Sequence, residues 1–325
     1  MKILVLFTGG TIGSDQIGDV ISPVEGAVKN LLSLYKKAEG DGVQFTTLSP
    51  YTILSENLSA ERVNTLISHL QQAQEGDFDG VIVTHGTDTL HYTAAAVDFS
   101  VEKRLPILFV SAAYPLSDRR SNGLENFRAA VRFIQSNPPP KTYIAYQNRT
   151  ETQVQIHLAT RLLGYGENGV DLFSINDAPY ALVDNQQGTL SFTGLAISNA
   201  STPVFCTYCK TPRVLIIPCH PEDGYGYDID KYSAVIFSPY HSATLDVESP
   251  ALKDFCRRAK EKGVPLFVSG ATREKTYESA TAFHALSLIP LPIARTALFV
   301  KCWLAESVGA DIKDFVLHPI ADEFC

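Results

Sequence analysis

Residues 2–14 read Lys2-Ile3-Leu4-Val5-Leu6-Phe7-Thr8-Gly9-Gly10-Thr11-Ile12-Gly13-Ser14. Five consecutive apolar residues are too few for a helix turned toward one core, and they run without polar alternation. That is the pattern of a strand buried on both faces, as in a parallel sheet. The run ends in two glycines and a threonine, a turn that lets backbone and ligand approach closely. The same design recurs along the chain. Asp79–Thr84, Pro106–Ala112 and Thr142–Gln147 are apolar runs that stop at polar or small residues. Helical stretches separate them. Ser22-Pro23-Val24-Glu25 has the form of a capping box with proline at the first helical position, ahead of Leu31, Leu32 and Tyr35. Ser59 can cap a helix bearing Val63, Leu66, Ile67 and Leu70. The alternation predicts an α/β fold: a larger N-terminal, mostly parallel sheet with helices on both faces.

The pattern changes after residue 180. Asn185-Gln186-Gln187-Gly188 predicts a hairpin turn between Tyr180–Val183 and Leu190–Phe192. A polar, turn-rich stretch follows, and alternation resumes with strands at Val214–Pro218, Ala234–Ser238 and Pro265–Ser269. Ser249-Pro250 starts a helix that Gly263 ends. The expected organisation is a domain over 1–194, a linker over 195–212 and a smaller C-terminal α/β domain over 213–325.

Composition narrows the function. The 325 residues are 45% hydrophobic and 19% charged, enough apolar surface for a large core, which excludes intrinsic disorder as the main state. A net charge of −8 argues against nucleic acid and against anionic membrane surfaces as partners. No apolar run approaches the roughly 18 residues of a membrane span. The N-terminal run lacks a small-residue cleavage region and reads as a strand rather than a signal peptide, so the expected location is the cytoplasm. Six cysteines are too few for a disulfide scaffold. Cys206, Cys209, Cys219 and His220 do not have a zinc finger's spacing and read as reduced thiols.

In open α/β sheets ligands bind beyond the carboxyl ends of the strands. Three polar segments are candidates for that position. Thr8–Ser14 is neither a GxGxxG nor a Walker loop, and presents a threonine hydroxyl on a glycine turn. Thr84-His85-Gly86-Thr87-Asp88-Thr89 places polar groups at the end of a buried strand, where they need partners. Thr87 could supply a second hydroxyl, and Asp88 could orient a group or bind an ammonium. Ser55-Glu56-Asn57-Leu58 offers a hydroxyl for a carboxylate and a carboxylate for an ammonium. On the residues alone each segment has a plainer reading: a βα turn, a helix cap and a solvated loop.

Together the three resemble the bacterial-type L-asparaginase family, which also contains asparaginase-glutaminases. Thr8-Gly9-Gly10-Thr11-Ile12 followed by His85-Gly86-Thr87-Asp88-Thr89 is similar to that family's pair of signatures, and 55–58 resembles its substrate loop. Ser111-Ala112-Ala113-Tyr114-Pro115, with Asp118, Asn122, Gly123 and Asn126, resembles its next strand end. The resemblance implies a homodimer or homotetramer that hydrolyses the side-chain amide of L-asparagine without cofactor or metal. It implies Thr11 as nucleophile, Thr87 as second catalytic threonine and Asp88 as its acidic neighbour. Ser55 and Glu56 would hold the substrate's carboxylate and ammonium, with Gly10, Gly86 and Ala112 lining the pocket. A glycine-turn N–H such as that of Gly10 would serve the oxyanion.

Three departures stand out. The family's lysine has no match, and Arg161, with His157 near it, is the nearest cation; Lys141 precedes its strand and belongs to the wrong end of the sheet. The loop Gly13–Ser22 contains no tyrosine. The C-terminal turn reads Pro239-Tyr240-His241-Ser242-Ala243-Thr244, where Ser242 or His241 would replace an asparagine. These leave two alternatives: an amidase for L-glutamine or another amide, and a non-catalytic amino-acid-binding protein.

Overall fold

The computed structural model describes every residue except 18, 19, 24, 25, 165–168, 199–201 and 272–276. The N-terminal half contains β1 (Lys2–Phe7), β2 (Ser14–Ile17), β3 (Val20–Pro23), α1 (Ala27–Glu39), β4 (Gln44–Leu48), α2 (Ala60–Ala73), β5 (Gly80–Thr84) and α3 (Leu90–Ser100). It continues with β6 (Ile107–Val110), α4 (Gly123–Gln135), β7 (Thr142–Tyr146), β8 (Val154–Leu158), β9 (Leu162–Leu163), β10 (Phe173–Ser174), β11 (Ala181–Asp184) and β12 (Thr189–Phe192). Then come β13 (Val214–Pro218), β14 (Ala234–Ser238), α5 (Pro250–Glu261), β15 (Leu266–Ser269), α6 (Glu278–Thr281), β16 (Leu288–Leu291), α7 (Arg295–Val308) and α8 (Ile312–Leu317).

Eight strands form one sheet in the order β12-β11-β8-β7-β6-β5-β1-β4. The run from β4 to β7 is parallel, and β8, β11 and β12 are joined by antiparallel pairings. Both faces of β1 are buried, as its apolar run requires. Ile3, Val5 and Phe7 meet α1 and α4 on one face, while Leu4 and Leu6 meet α2 and α3 on the other. The chain goes from β1 to one side to make β4, then crosses back to make β5 on the other side. The loops after β1 and β5 therefore part in opposite directions and leave a crevice at that switch point.

β13, β14, β15 and β16 form a second, wholly parallel sheet. Helix α7 packs on α3 of the first unit and on one face of this sheet, so a single core of Ala94, Val97, Leu298 and Ile236 runs between the two sheets. Nine of the fourteen residues of α7 are buried, including the unbroken run from Val300 to Ala305, as a helix held between two layers requires. Helix α5 covers the opposite face through Leu252, Phe255 and Ala259. Ser59 and Ser249 both accept the expected capping hydrogen bonds, from the Arg62 and Leu252 N–H groups. The segment after β12 is docked rather than loose where it is described. Tyr208 is buried, its hydroxyl is 3.0 Å from Ser100 Oγ, and its backbone bonds Asn64 in both directions.

Two expectations need correction. Ser22 and Pro23 lie in β3, and α1 starts later, at Ala27, behind a Gly26 N-cap with φ 103°; Val24 and Glu25 lie outside the described residues. The hairpin of β2 and β3 within the expected loop Gly13–Ser22, and strands β4, β8, β9, β10 and β16, have no counterpart in the sequence-based expectation. β4 is an edge strand, Gln44-Phe45-Thr46-Thr47-Leu48, mostly exposed and without an apolar run.

The C-terminal tail ties the parts together. Lys301 Nζ on α7 donates to Glu323 Oε1 at 2.5 Å, and also to the Val316 and His318 carbonyls, with no exposed surface on either side chain. Burial pulls the Lys301 pKa down against the opposing pull of Glu323. Lys141 Nζ meets Asp322 Oδ2 at 2.5 Å, also buried. Removing one partner of such a pair leaves an uncompensated buried charge. Lys301→Ala should therefore lower the unfolding free energy by about 3–5 kcal/mol, read as a shift of the urea midpoint. An unchanged midpoint would show that the tail carries no such load.

Candidate active site

The crevice is built by backbone approaching backbone. Thr8 N–H and Oγ1 both donate to the Thr84 carbonyl, at 3.3 and 2.7 Å, which locks the end of β1 to the end of β5. Gly10 has φ +76°, and a Cβ there would lie 2.3 Å from the Gly86 nitrogen. A Cβ on Gly86 would lie 2.4 Å from Ser55 Oγ and 3.2 Å from the Gly10 Cα. Only glycines let these three segments meet at such distances. The Gly10 N–H is committed to the Ile53 carbonyl at 3.0 Å, and the Ile53 N–H to the Thr8 carbonyl at 3.1 Å. The Gly10 amide is therefore an anchor for the Ser55 loop and not the oxyanion donor that the sequence suggested.

Thr11 opens a short 3₁₀ turn over Thr11–Gly13, and Thr87 opens the turn before α3; both are half-buried. The two threonines therefore flank the Gly10–Gly86 contact. Ser55 is buried, and its hydroxyl donates to Asp88 Oδ2 at 2.9 Å. Thr89 Oγ1 donates to the Ser55 carbonyl at 2.9 Å, so the Ser55 loop is bound to the β5 loop on both sides. Asp88 and Glu56 are exposed, with carboxylates able to meet a solvent-borne ammonium.

The next strand end is fixed by two asparagines. The buried Asn126 donates to the Ser111 carbonyl at 2.9 Å and accepts from the Gln147 N–H at 2.8 Å. Asn122 accepts from the Ala113 N–H and donates to the Gln147 carbonyl, both at 2.8 Å. Ala112 is fully buried, with its Cβ against Gly123, where a second Cβ would sit 2.9 Å away. The β6 and β7 ends are thus held in register beside the crevice.

Two histidines lie under these loops. His85 is buried, Nδ1 bonds the Gly86 carbonyl at 2.8 Å, and its ring stands edge-on to Phe109. Burial lowers its pKa to about 4 against the raising pull of the Gly86 carbonyl and Asp88. His91 on α3 is brought to about 4 by burial first and then by Arg295, with Asp88 opposing. Both are neutral at pH 7.

Arg161 is not brought to this place. β8 is antiparallel to β7 and Leu158 pairs with Tyr143, so the chain leaves β8 at the amino edge of the parallel strands, opposite Thr11 and Thr87. There Arg161 Nε donates to the Asp322 carbonyl at 2.6 Å and Nη2 to the Phe324 carbonyl at 2.9 Å. It is a tail anchor, as Lys141 is. His157 is buried within β8, with Nδ1 2.8 Å from Ser174 Oγ. Ser242 lies at the carboxyl end of β14, with its hydroxyl 3.2 Å from Thr244 Oγ1. A cavity of about 350 Å³ beside that turn is lined by Tyr240, His241, Ala243, Gly164 and Arg295, and by neither threonine of the crevice. Among the described residues no cluster of three or more histidine, cysteine or acidic side chains could hold a metal ion. No helix among them is long and apolar enough to cross a membrane.

The family model described as "Asparaginase, N-terminal" matches residues 2–193. A glutamyl-tRNA(Gln) amidotransferase subunit of Methanosarcina mazei is 30% identical over 98% of this chain and 80% of its own length. L-asparaginase 1 of Escherichia coli K12 is 28% identical over 55% of this chain and 52% of its own. Apart from the Methanosarcina mazei protein, the matches to the most similar relatives span from 44% to 61% of those proteins. Among solved structures, L-asparaginase I from Vibrio cholerae superposes with a TM-score of 0.81 at 18% identity, covering 100% of this chain and 99% of that one. The thermostable L-asparaginase from Thermococcus kodakarensis gives 0.73 at 21%, with the same coverage.

Two outcomes follow from this geometry. Gly10→Ala should cost several kcal/mol of stability, whereas Gly13→Ala, which meets nothing within 4 Å, should stay within about 0.5 kcal/mol of the parent. Equal thermal shifts for the two would contradict the close approach. The unfolded chain protonates its histidines near pH 6.5, and His85 and His91 resist protonation until about pH 4. Their contribution to stability is complete above pH 6.5 and is lost as pH falls through that window, by up to about 1.4 kcal/mol per pH unit each. Thermal unfolding of the parent and of His85→Gln should show a shallower acid loss in the variant; parallel curves would refute that.

Proposed function

The chain belongs to the asparaginase family, and from that premise we propose that it hydrolyses the side-chain amide of L-asparagine to L-aspartate and ammonia. The observation that carries this reading is the meeting of the Thr11 and Thr87 turns at the switch-point crevice, with no side chain between Gly10 and Gly86. Two hydroxyls on facing turns are the equipment of an acyl transfer, and they need no group from outside the chain.

In this reading Thr11 Oγ1 attacks the amide carbon, and the tetrahedral intermediate collapses to an ester with release of ammonia. Water then attacks the ester, releases L-aspartate and restores the Thr11 hydroxyl. Thr87 manages the protons. Asp88, exposed and held by the Ser55 hydroxyl, takes the substrate ammonium together with Glu56. Ser55 orients the carboxylate side, and the Ala112 backbone, fixed through Ala113 and Asn122, faces the amide. The catalytic unit is 1–194, with 213–325 the smaller second domain. The enzyme works in the cytoplasm as a homodimer or homotetramer.

A second reading has its own support. The match to the Methanosarcina mazei amidotransferase component runs through 98% of this chain. In that reading L-glutamine or another amide is the nitrogen source, and a partner protein uses the ammonia. Ser242 and the turn 239–244 would then serve a partner or a larger substrate.

The test is ammonia release by the purified chain with L-asparagine and with L-glutamine, beside Thr11→Ala and Thr87→Ala. The expected result is release with L-asparagine that falls on the order of 10³-fold or more in each variant, with the fold intact by circular dichroism. Release with L-glutamine alone would favour the second reading. Release that survives Thr11→Ala would remove the threonine nucleophile.

A further inference from the structure

Helix α4 begins at an asparagine that does not cap it. Asn122 stands at the N-cap, where a side chain ordinarily accepts from the helix's first N–H groups, and no such bond forms. Its amide spans two strand ends instead. Oδ1 accepts from the Ala113 N–H and Nδ2 donates to the Gln147 carbonyl, both at 2.8 Å. One helical turn later Asn126 does the same the other way round. Its Nδ2 donates to the Ser111 carbonyl at 2.9 Å and its Oδ1 accepts from the Gln147 N–H at 2.8 Å, with the whole residue buried.

The register shows what these amides replace. Val110 of β6 pairs with Ala145 of β7, so Ala112 is level with Gln147. In a continued parallel ladder Gln147 would donate directly to the Ser111 carbonyl and accept directly from the Ala113 N–H. Each of those two bonds is interrupted here by one asparagine amide, so the strand ends stand one amide apart. Ala113, Asn122 and Gln147 line a cavity of about 410 Å³ beside them.

The consequence falls on Ala112, between the two clamped atoms. A trans peptide carries its C=O and N–H on opposite sides, and both peptides flanking Ala112 are trans. The Ser111 carbonyl and the Ala113 N–H are tied toward β7. The Ala112 N–H and carbonyl are therefore turned the other way, toward β5 and the crevice. Val110, two residues earlier, faces β5 in the same sense, its carbonyl accepting from the His85 N–H at 2.9 Å. Among the described residues no hydrogen bond takes either backbone group of Ala112, and the residue is fully buried. Buried backbone groups are almost always paired, so these two mark a place that a ligand fills. The nucleophile's turn reaches the same spot: a Cβ on Gly123 would lie 2.9 Å from Ala112 Cβ and 3.3 Å from Cγ1 of Ile12, the residue after Thr11.

We propose that Asn122 and Asn126 are positioning residues that hold the Ala112 carbonyl to accept from the substrate's amide N–H, and so make the site select amides over esters. An ester of the same acid has no N–H at its leaving atom, and the lone pairs of that oxygen would face the carbonyl. The asparagines act through the two peptide planes of Ala112 and not on the substrate. The proposal rests on the amidohydrolase reading and adds no covalent step to it.

The test compares kcat/KM for L-asparagine, read as ammonia, with kcat/KM for the β-methyl ester of L-aspartate, read as methanol. L-Glutamine and the γ-methyl ester of L-glutamate serve if the acyl group is glutamyl. Wild type, Asn122→Ala, Asn122→Asp, Arg149→Ala and Thr11→Ala are assayed, with thermal unfolding of each. Asn122→Ala should lower the amide-to-ester ratio by about tenfold or more. Asn122→Asp keeps the acceptor for Ala113 and loses the donor to Gln147; it should lower the ratio by about threefold or more, and it serves if Asn122→Ala does not fold. Arg149→Ala breaks the pair with Asp171 on the same loop and should leave the ratio within about twofold. Folded Asn122 variants with the wild-type ratio, whether both activities are kept or fall in equal proportion, overturn the proposal. So does an equal fall of the ratio in Arg149→Ala. With Thr11→Ala inactive on both substrates, either result leaves the amidohydrolase reading standing. No release from either pair by the wild-type chain overturns both.

Discussion

The contact between Gly10 and Gly86 is the constraint on which the crevice depends. It brings two βα loops from adjacent parallel strands to a separation that no side chain could share. Everything placed at the crevice is placed relative to that contact. Thr11 follows one glycine and Thr87 the other, each on the first turn after its strand. Ser55 closes the third side because its own Oγ and Cβ are what a Gly86 side chain would strike. Backbone bonds link the three segments, from Gly10 to Ile53, Ile53 to Thr8, and Thr8 to Thr84, and the Thr8, Ser55 and Thr89 hydroxyls add side-chain bonds between them. A site fixed by main-chain bonds on sheet ends needs little reorganisation when charge develops, and that is the condition for electrostatic stabilisation of an acyl transfer.

The second sheet and the tail serve the site at a distance. Helix α7 shares its buried surface between α3 and the second sheet, so the helix that begins just after Thr87 and Asp88 is braced along its length. The tail then fastens that brace to the amino edge of the first sheet through Lys301, Lys141 and Arg161. Losing one partner of the Lys301–Glu323 or Lys141–Asp322 pair would leave a buried charge uncompensated, so the tail is held where these pairs form.

Much of this was legible in the sequence because the physics was local. The strands β1, β5, β6 and β7 are unbroken apolar runs buried on both faces, and their turns carry the polar residues that a strand end at a ligand site requires. Ser59, Ser249 and Gly263 gave helix ends for the same reason. What was not legible depended on pairings that sequence spacing does not encode. The direction of β8 decides which edge of the sheet Arg161 reaches, and Val154–Leu158 reads the same in either direction. The Gly10 N–H, which the glycine turn alone would offer to an oxyanion, is taken by the Ile53 carbonyl, a partner more than forty residues away. His91 lies in plain sequence beside the signature, but its neighbours Gly164 and Arg295 come from positions far along the chain. β4 was lost to the opposite cause: an exposed edge strand has no apolar signal to give.

The central claim is that the Thr11 hydroxyl becomes covalently acylated. The most direct measurement is peptide mapping by mass spectrometry after acid quench of the working enzyme with L-asparagine, using Thr87→Ala to slow the second step. The account predicts an aspartyl ester on the peptide that contains Thr11. A chain that turns over L-asparagine with the adduct on Thr87, or that shows no adduct on any peptide when deacylation is rate-limiting, would contradict it.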